Sequence, residues 1–142
     1  LERSPEVFHV RKRMEQTGVD FCLDVHGDEA LPYNFIAGPD GVASVTQRIW
    51  ALQDAYEKAL MRASPDFQMT HGYDAVALGE ANMTMCTTFI ADHFACLAMT
   101  LEMPFKDTAD TPNVELGWSP ERCRQLGRAN LDALYAVIDE LR

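Results

Sequence analysis

At 142 residues the chain suits one domain, long enough to bury about 68–70% of its unfolded surface on compact folding. Its 47% hydrophobic and 24% charged content excludes a disordered tail. The balance of 12 basic against 22 acidic residues gives a net charge of −10, a field that repels nucleic acid and anionic lipid, and no apolar stretch approaches the ~20 residues that span a membrane.

Ser4, with Pro5 at the first helical position, opens a helix on which Val7, Val10 and Met14 share a face, and Gly18 closes it. The one dense basic run, Arg11-Lys12-Arg13, reads as a solvated face of that helix. Val19 to Val25 is a short apolar run bounded by Gly18 and Gly27, which predicts a strand of the parallel-sheet kind, buried on both faces. His26 stands at its carboxyl end, the place where open α/β sheets bind their ligands. Period-two geometry puts Cys22, Asp24 and His26 on one face, so that Asp24 can hold the imidazole and set its tautomer. The plainer alternative is an ordinary hydrogen-bonded histidine at a strand end.

Tyr33 to Gly38 predicts a short strand and Gly38-Pro39-Asp40-Gly41 a turn. The spacing of Val45, Ile49, Leu52, Tyr56 and Leu60 predicts an amphipathic helix from about Ser44 to Ala63, and Asn82 is placed to cap another that ends near His93. His9, His71 and His93 read as surface or helix-end residues. A second buried run, Phe94 to Leu101, ends at Glu102, with Pro104 as its stop. A glutamate that closes an apolar strand is costly to bury unless paired or functional, and in a cleft its pKa can rise toward that of a working base. The polar stretch from Lys106 to Asn113 predicts a mobile loop beside Glu102, able to close over a substrate.

Ser119-Pro120-Glu121 starts the last helix, with Cys123, Leu126, Leu134, Ile138 and Leu141 as its buried stripe. Cys22, Cys86, Cys96 and Cys123 contain no C-x-x-C pair and read as reduced core residues of a cytoplasmic protein. No signal-peptide pattern, internal repeat or low-complexity segment is found, and helices alternate with strands throughout, an α/β chain.

Two segments together, Asp24-Val25-His26-Gly27-Asp28 and Thr100-Leu101-Glu102-Met103-Pro104-Phe105-Lys106-Asp107, resemble the zinc metallocarboxypeptidase superfamily, most closely its cytosolic-carboxypeptidase-like branch. Their order, their spacing of 76 residues and their strand-end placement all fit, and the resemblance runs from Ser4 through the terminal helix. It implies a phosphorylase/hydrolase-like α/β fold, a mixed and mostly parallel sheet flanked by helices, with residues 1–142 as the C-terminal part of the catalytic domain. It also implies Zn²⁺ held by two histidines and a glutamate with water in the open position. His26 matches the last of those ligands, and Glu102 matches the general base and acid that acts on the carbonyl at a peptide or protein C-terminus. The other two ligands and the carboxylate-binding asparagine and arginine of the family lie upstream of Leu1, so the expected partner is a missing N-terminal half of the same protein.

His26-Gly27-Asp28-Glu29 is itself an H-x-x-E, but two ligands at that spacing need a helical turn. A glycine after a buried strand argues for a tight turn instead, which leaves Asp28 and Glu29 as cleft-lining or solvated groups. Three functions follow from this reading: a zinc carboxypeptidase, a zinc amidohydrolase acting on N-acyl amino acids, or a non-catalytic structural and interaction domain. The chain alone is expected to be inactive and to lack stoichiometric zinc, and an open sheet edge makes it a candidate homo-oligomer.

Overall fold

A computed structural model describes residues 3–141. Three apolar runs make its sheet: β1 (Phe21–Asp28), β2 (Phe35–Ala37) and β3 (Leu97–Pro104). β3 lies in the middle, with β1 parallel to it on one side and β2 antiparallel on the other. The parallel pairing runs in register from Phe21 opposite Leu97 to Asp28 opposite Pro104. The fold is therefore α/β, as the alternation of helices and strands predicts, with a mixed sheet flanked by helices, as the resemblance implies.

Alternation along β3 divides the core in two. Leu97, Met99 and Leu101 face α2 (Gln47–Ala63) and α4 (Pro120–Val137), packing on Ile49, Leu52, Tyr56, Leu60, Leu126 and Ala133. Ala98 faces the opposite side, where it meets Ile90 and Ala91 of α3 (Cys86–Phe94), with Cys22 of β1 and Met14 of α1 (Pro5–Thr17) at the edge of that cluster. On the α3 face Thr100 is joined to Thr87 by a 2.6 Å hydroxyl contact. Glu102 follows Ala98 and Thr100 at period two, on this same side of the sheet.

Several boundaries differ from those the sequence suggests, each for a physical reason. Ala95 takes a left-handed conformation (φ 51°) that ends α3 at Phe94, so β3 begins at Leu97 rather than at Phe94. Gly27 does not make a turn. A Cβ there would lie 2.4 Å from the Phe105 ring, so the glycine lets an aromatic side chain cross the strand, and β1 runs on to Asp28. β1 is an edge strand rather than one buried on both faces, and Val25 is 55% exposed. α1 contains no buried residue, because no element among the described residues covers its Val7 and Val10 face.

Asn82 does not cap a helix directly. Its side chain instead accepts from Thr84 N at 3.1 Å and Thr84 Oγ1 at 2.7 Å, forming the turn that precedes α3. The buried stripe of α4 is Leu126, Ala129, Asn130, Ala133 and Val137, while Ile138 is half exposed. The small residues face α2 because they let the two helices approach closely. All four cysteines are free, and Cys96 is buried as expected, but Cys86 opens α3 at the surface.

The segment after β3 is tied down, which contradicts the mobile loop expected there. Ala109 N donates to Pro32 O at 2.8 Å and Trp118 N to Lys106 O at 2.7 Å. Gly117 has φ +60°, and a Cβ on it would sit 2.3 Å from Lys106 O, so only glycine permits this closure. The anchor is Arg122 on α4. Its guanidinium donates to Asp66 Oδ1 at 2.6 Å, Asp107 Oδ1 at 3.0 Å, Thr111 O at 2.9 Å and Gly117 O at 3.3 Å, and lies over the Trp118 ring. One planar cation thereby joins the turn after α2 to the segment after β3.

Burial alone would raise the Asp66 carboxyl, but bonds from Arg122 and Thr111 and the Arg122 charge overcome it and hold the group below the usual range. Asp107 is likewise lowered: burial opposes the shift, and the N–H groups of Asn113 and Thr108 and the Arg122 guanidinium outweigh it. The unfolded chain thus binds these two protons more tightly than the folded one. Their stabilisation is full above the ordinary aspartate value of about 3.9 and is lost as pH falls through the lowered folded values. Denaturant titrations at pH 6 and pH 3 are expected to show a smaller acid-induced loss in Arg122→Met than in wild type, and equal losses would contradict this.

A second prediction concerns the α2–α4 contact, where Tyr56 Oη donates to Asn130 Oδ1 at 2.6 Å and Asn130 Nδ2 donates to Leu126 O at 2.7 Å, all buried. Tyr56→Phe leaves Asn130 Oδ1 without a donor. It should cost about 1–3 kcal/mol, seen as a lower urea midpoint at unchanged slope.

Candidate active site

The carboxyl ends of β1 and β3 carry the candidate site. Parallel pairing sets His26 directly opposite Glu102, so two residues far apart in sequence share one cross-strand position. His26 Nδ1 lies 3.7 Å from Glu102 Oε1, and His26 Nε2 lies 3.1 Å from Asp24 Oδ2. The imidazole is half exposed, whereas the Glu102 side chain is only 7% exposed, wedged between His26 and Phe35 of β2 on its other flank. Asp24 and His26 share a face of β1 as period two requires, and Asp24 occupies the orienting position expected of it.

Burial pushes the Glu102 carboxyl above its ordinary value. His26 and a contact from the Tyr73 hydroxyl pull it back down, while the Asp28 and Asp24 charges add to the rise. A raised carboxyl in a cleft is the electrostatic condition for a base or acid that works near neutral pH.

Two further residues complete this cluster. Asp28 ends β1 and is 5% exposed. Its Oδ1 accepts from Ala30 N at 2.6 Å and Leu31 N at 3.4 Å, while its Oδ2 is buried without a hydrogen-bond partner. Tyr73 is brought in from an irregular segment. Gln68 holds that segment by accepting from Thr70 N and His71 N and donating to Asn34 O at 3.1 Å, and the Tyr73 ring packs edge-on against Phe35 with centroids 5.0 Å apart. Burial first, then the Asp28 and Glu102 carboxylates, raises the Tyr73 phenol. The sequence left Asp28 as a cleft-lining or solvated group, and its burial at the end of β1 excludes the solvated reading, whereas Tyr73 lies in a stretch without hydrophobic periodicity and carried no signal. A cavity of about 220 Å³ opens beside it, lined by Phe35, Asp40, Glu57, His71 and Tyr73 among others.

The remaining candidates stand apart from this arrangement. Glu29 lies exposed in the bend after β1, not on a helical turn, so His26 and Glu29 do not form a two-ligand unit. His71 stacks on Tyr33 at 4.2 Å, His93 on Phe89 at 5.2 Å, and His9 sits edge-on to Phe8. His26, an imidazole with a carboxylate beside one of its two ring nitrogens, suits zinc in chemical type. Among the described residues, however, no group of three or more His, Cys, Asp or Glu side chains could hold a metal ion. The chain thus presents one fitting donor and not a complete ligand set. Among the described residues no helix is long and apolar enough to cross a membrane.

Comparison with known proteins puts this geometry in context. The sequence matches no protein-family model. An uncharacterized protein of Zymomonas mobilis is 47% identical over 140 residues, which cover 99% of this chain and 37% of that protein. Among solved structures, a metallo-carboxypeptidase from Pseudomonas aeruginosa, in complex with (2-guanidinoethylmercapto)succinic acid, superposes with a TM-score of 0.96 at 43% identity over 99% of this chain. A metallo-carboxypeptidase from Burkholderia cenocepacia gives a TM-score of 0.92 at 44% identity over 97% of it. The chain spans 36–37% of the length of these proteins. With its mixed sheet superposing along nearly all of its length, the chain has the fold of a part of these metallo-carboxypeptidases.

Proposed function

We propose that this chain supplies one zinc ligand, His26, and the general base and acid, Glu102, to a metallocarboxypeptidase that releases C-terminal residues from peptides or proteins. The observation that carries the proposal is the cross-strand pairing of an exposed imidazole with a buried carboxylate of raised pKa at the carboxyl ends of two parallel strands. The similarity to metallo-carboxypeptidases supports it, and one of these relatives was solved with a succinic acid derivative, a carboxylate ligand of the kind a C-terminus presents. The remaining ligands and the groups that bind the substrate carboxylate are proposed to come from outside these residues.

In this reading Asp24 fixes the imidazole orientation and leaves the other ring nitrogen to the cleft. A bound zinc ion would supply Lewis-acid activation. Glu102, held on a rigid central strand, takes a proton from the attacking water and returns it to the departing amine. Its position on β3, braced by β1 and β2, keeps the carboxylate within a narrow range of orientations, which is what proton transfer demands.

The test uses the full-length protein that contains this chain. Glu102→Gln should retain zinc yet lose roughly 10²–10⁴-fold in turnover, whereas His26→Ala should lower the zinc content itself. Asp24→Asn is expected to weaken zinc affinity about 10–100-fold while Glu102 is untouched. Unchanged peptide hydrolysis in Glu102→Gln would remove Glu102 from the role of base, and full zinc content in His26→Ala would remove His26 from the ligand set.

A further inference from the structure

α4 and the turn that continues it carry apolar side chains on two opposite faces. Leu126, Ala129, Ala133 and Val137 are buried against α2 and the sheet, whereas Leu131, Tyr135 and Ile138 are 67%, 79% and 50% exposed. Helical geometry sets these three within about 60° of one another on the outer side. Arg124 and Arg128 continue the line, so the stripe has the alternating spacing of four and three that one helix offers another. Scattered exposed apolar residues need no explanation, but a row of them at seam spacing marks a contact surface.

Two further observations say what covers it. Gly127 sits inside the helix at the border of the stripe, exposed, and a Cβ there would meet nothing within 4 Å. Glycine is a poor residue for a helix interior, and nothing among the described residues requires one at this position. Charge is also divided along the stripe. Arg124 and Arg128 stand in its amino-terminal half, and Asp132 and Asp139 in its carboxyl-terminal half, where no ion pair among the described residues engages either aspartate.

We infer that α4 is a dimerisation helix, which pairs antiparallel with α4 of a second copy of this chain across a two-fold axis at Leu131. Counting outward from that centre places Gly127 opposite the partner's Tyr135, so that the ring enters the space the glycine leaves open. The same register brings Arg124 within one residue of the partner's Asp139 and Arg128 within two of the partner's Asp132, about 1.5 Å and 3 Å of helical rise. Each contact occurs twice, as a two-fold interface demands. A parallel pairing would instead set arginine on arginine and aspartate on aspartate. This charge pattern, complementary to its own reversal, is the reason to assign the surface to a second copy rather than to an unrelated segment or partner. The surface lies across α4 from the sheet, so the assignment is independent of the role of Glu102.

Sedimentation equilibrium on the full-length protein that contains this chain tests the inference, with far-ultraviolet circular dichroism as the check on folding. The wild type should be a dimer or a multiple of one, and it should dissociate more readily at high salt. Tyr135→Glu should halve the mass. Gly127→Gln, a better helix former, should fold at least as well and also halve the mass, because its side chain fills the space meant for the partner's ring. Arg128→Asp and Asp132→Arg should each raise the dimer Kd several-fold, and the double variant should restore it, since the swapped charges again meet across the axis. A monomeric wild type, an unchanged mass in Gly127→Gln, or a double variant weaker than both single ones would overturn the inference. If Tyr135→Glu fails to fold, Gly127→Gln and the charge swap decide it alone.

Discussion

The parallel ladder between β1 and β3 is the constraint on which the site depends. Its register aligns residue 21 with residue 97 and, by simple counting, His26 with Glu102. A slip of one residue would turn one of the two side chains to the opposite face of the sheet, because side chains alternate with a period of exactly two. What prevents the slip is the alternation of β3 itself, whose Leu97, Met99 and Leu101 are locked into the α2–α4 core while Ala98 packs on α3. The chemistry at the end of the sheet is thus held in place by apolar packing along its length.

Beyond the strands, polar clamps fix the backbone around the pair. Asp28 turns the chain after β1 through its bonds to Ala30 and Leu31, and Phe105 N donates to Asp28 O at 3.2 Å across the strand ends. Arg122 fastens the segment after β3 to the turn after α2. Gln68 shapes the turn that brings Tyr73 over Phe35. These clamps serve one end of the sheet, where buried polar groups need partners that the ladder cannot give. Burying Glu102 there is tolerable because His26, Tyr73 and the open mouth of the cleft share the cost of its charge.

The strands and the four helices were legible in the sequence because each rests on a local pattern, an apolar run stopped by a polar residue or a stripe at helical spacing, whereas the meeting of His26 with Glu102 was legible only through the resemblance of their two motifs taken together. Errors arose where tertiary contacts override such patterns. Gly27 reads as a turn until Phe105 is seen to occupy the space of its missing side chain. Lys106 to Asn113 reads as mobile because its anchor, Arg122, lies on another element. The buried stripe of α4 shifts to Ala129 and Ala133 because α2 approaches closely, and that proximity has no signature in one helix alone. Tyr73 was invisible for the same reason. Its place is set by Gln68 and Phe35, contacts that composition and periodicity do not encode.

The central claim is that the carboxyl end of this sheet presents a metal ligand on β1 and an unligated base on β3. A crystal structure of the zinc-loaded full-length protein, with anomalous data at the zinc edge, tests it most directly. The account predicts an anomalous peak about 2.0–2.1 Å from a His26 nitrogen, with the Glu102 carboxylate outside the coordination shell but facing the same cleft. A peak bound to Glu102, or one remote from His26, would contradict it.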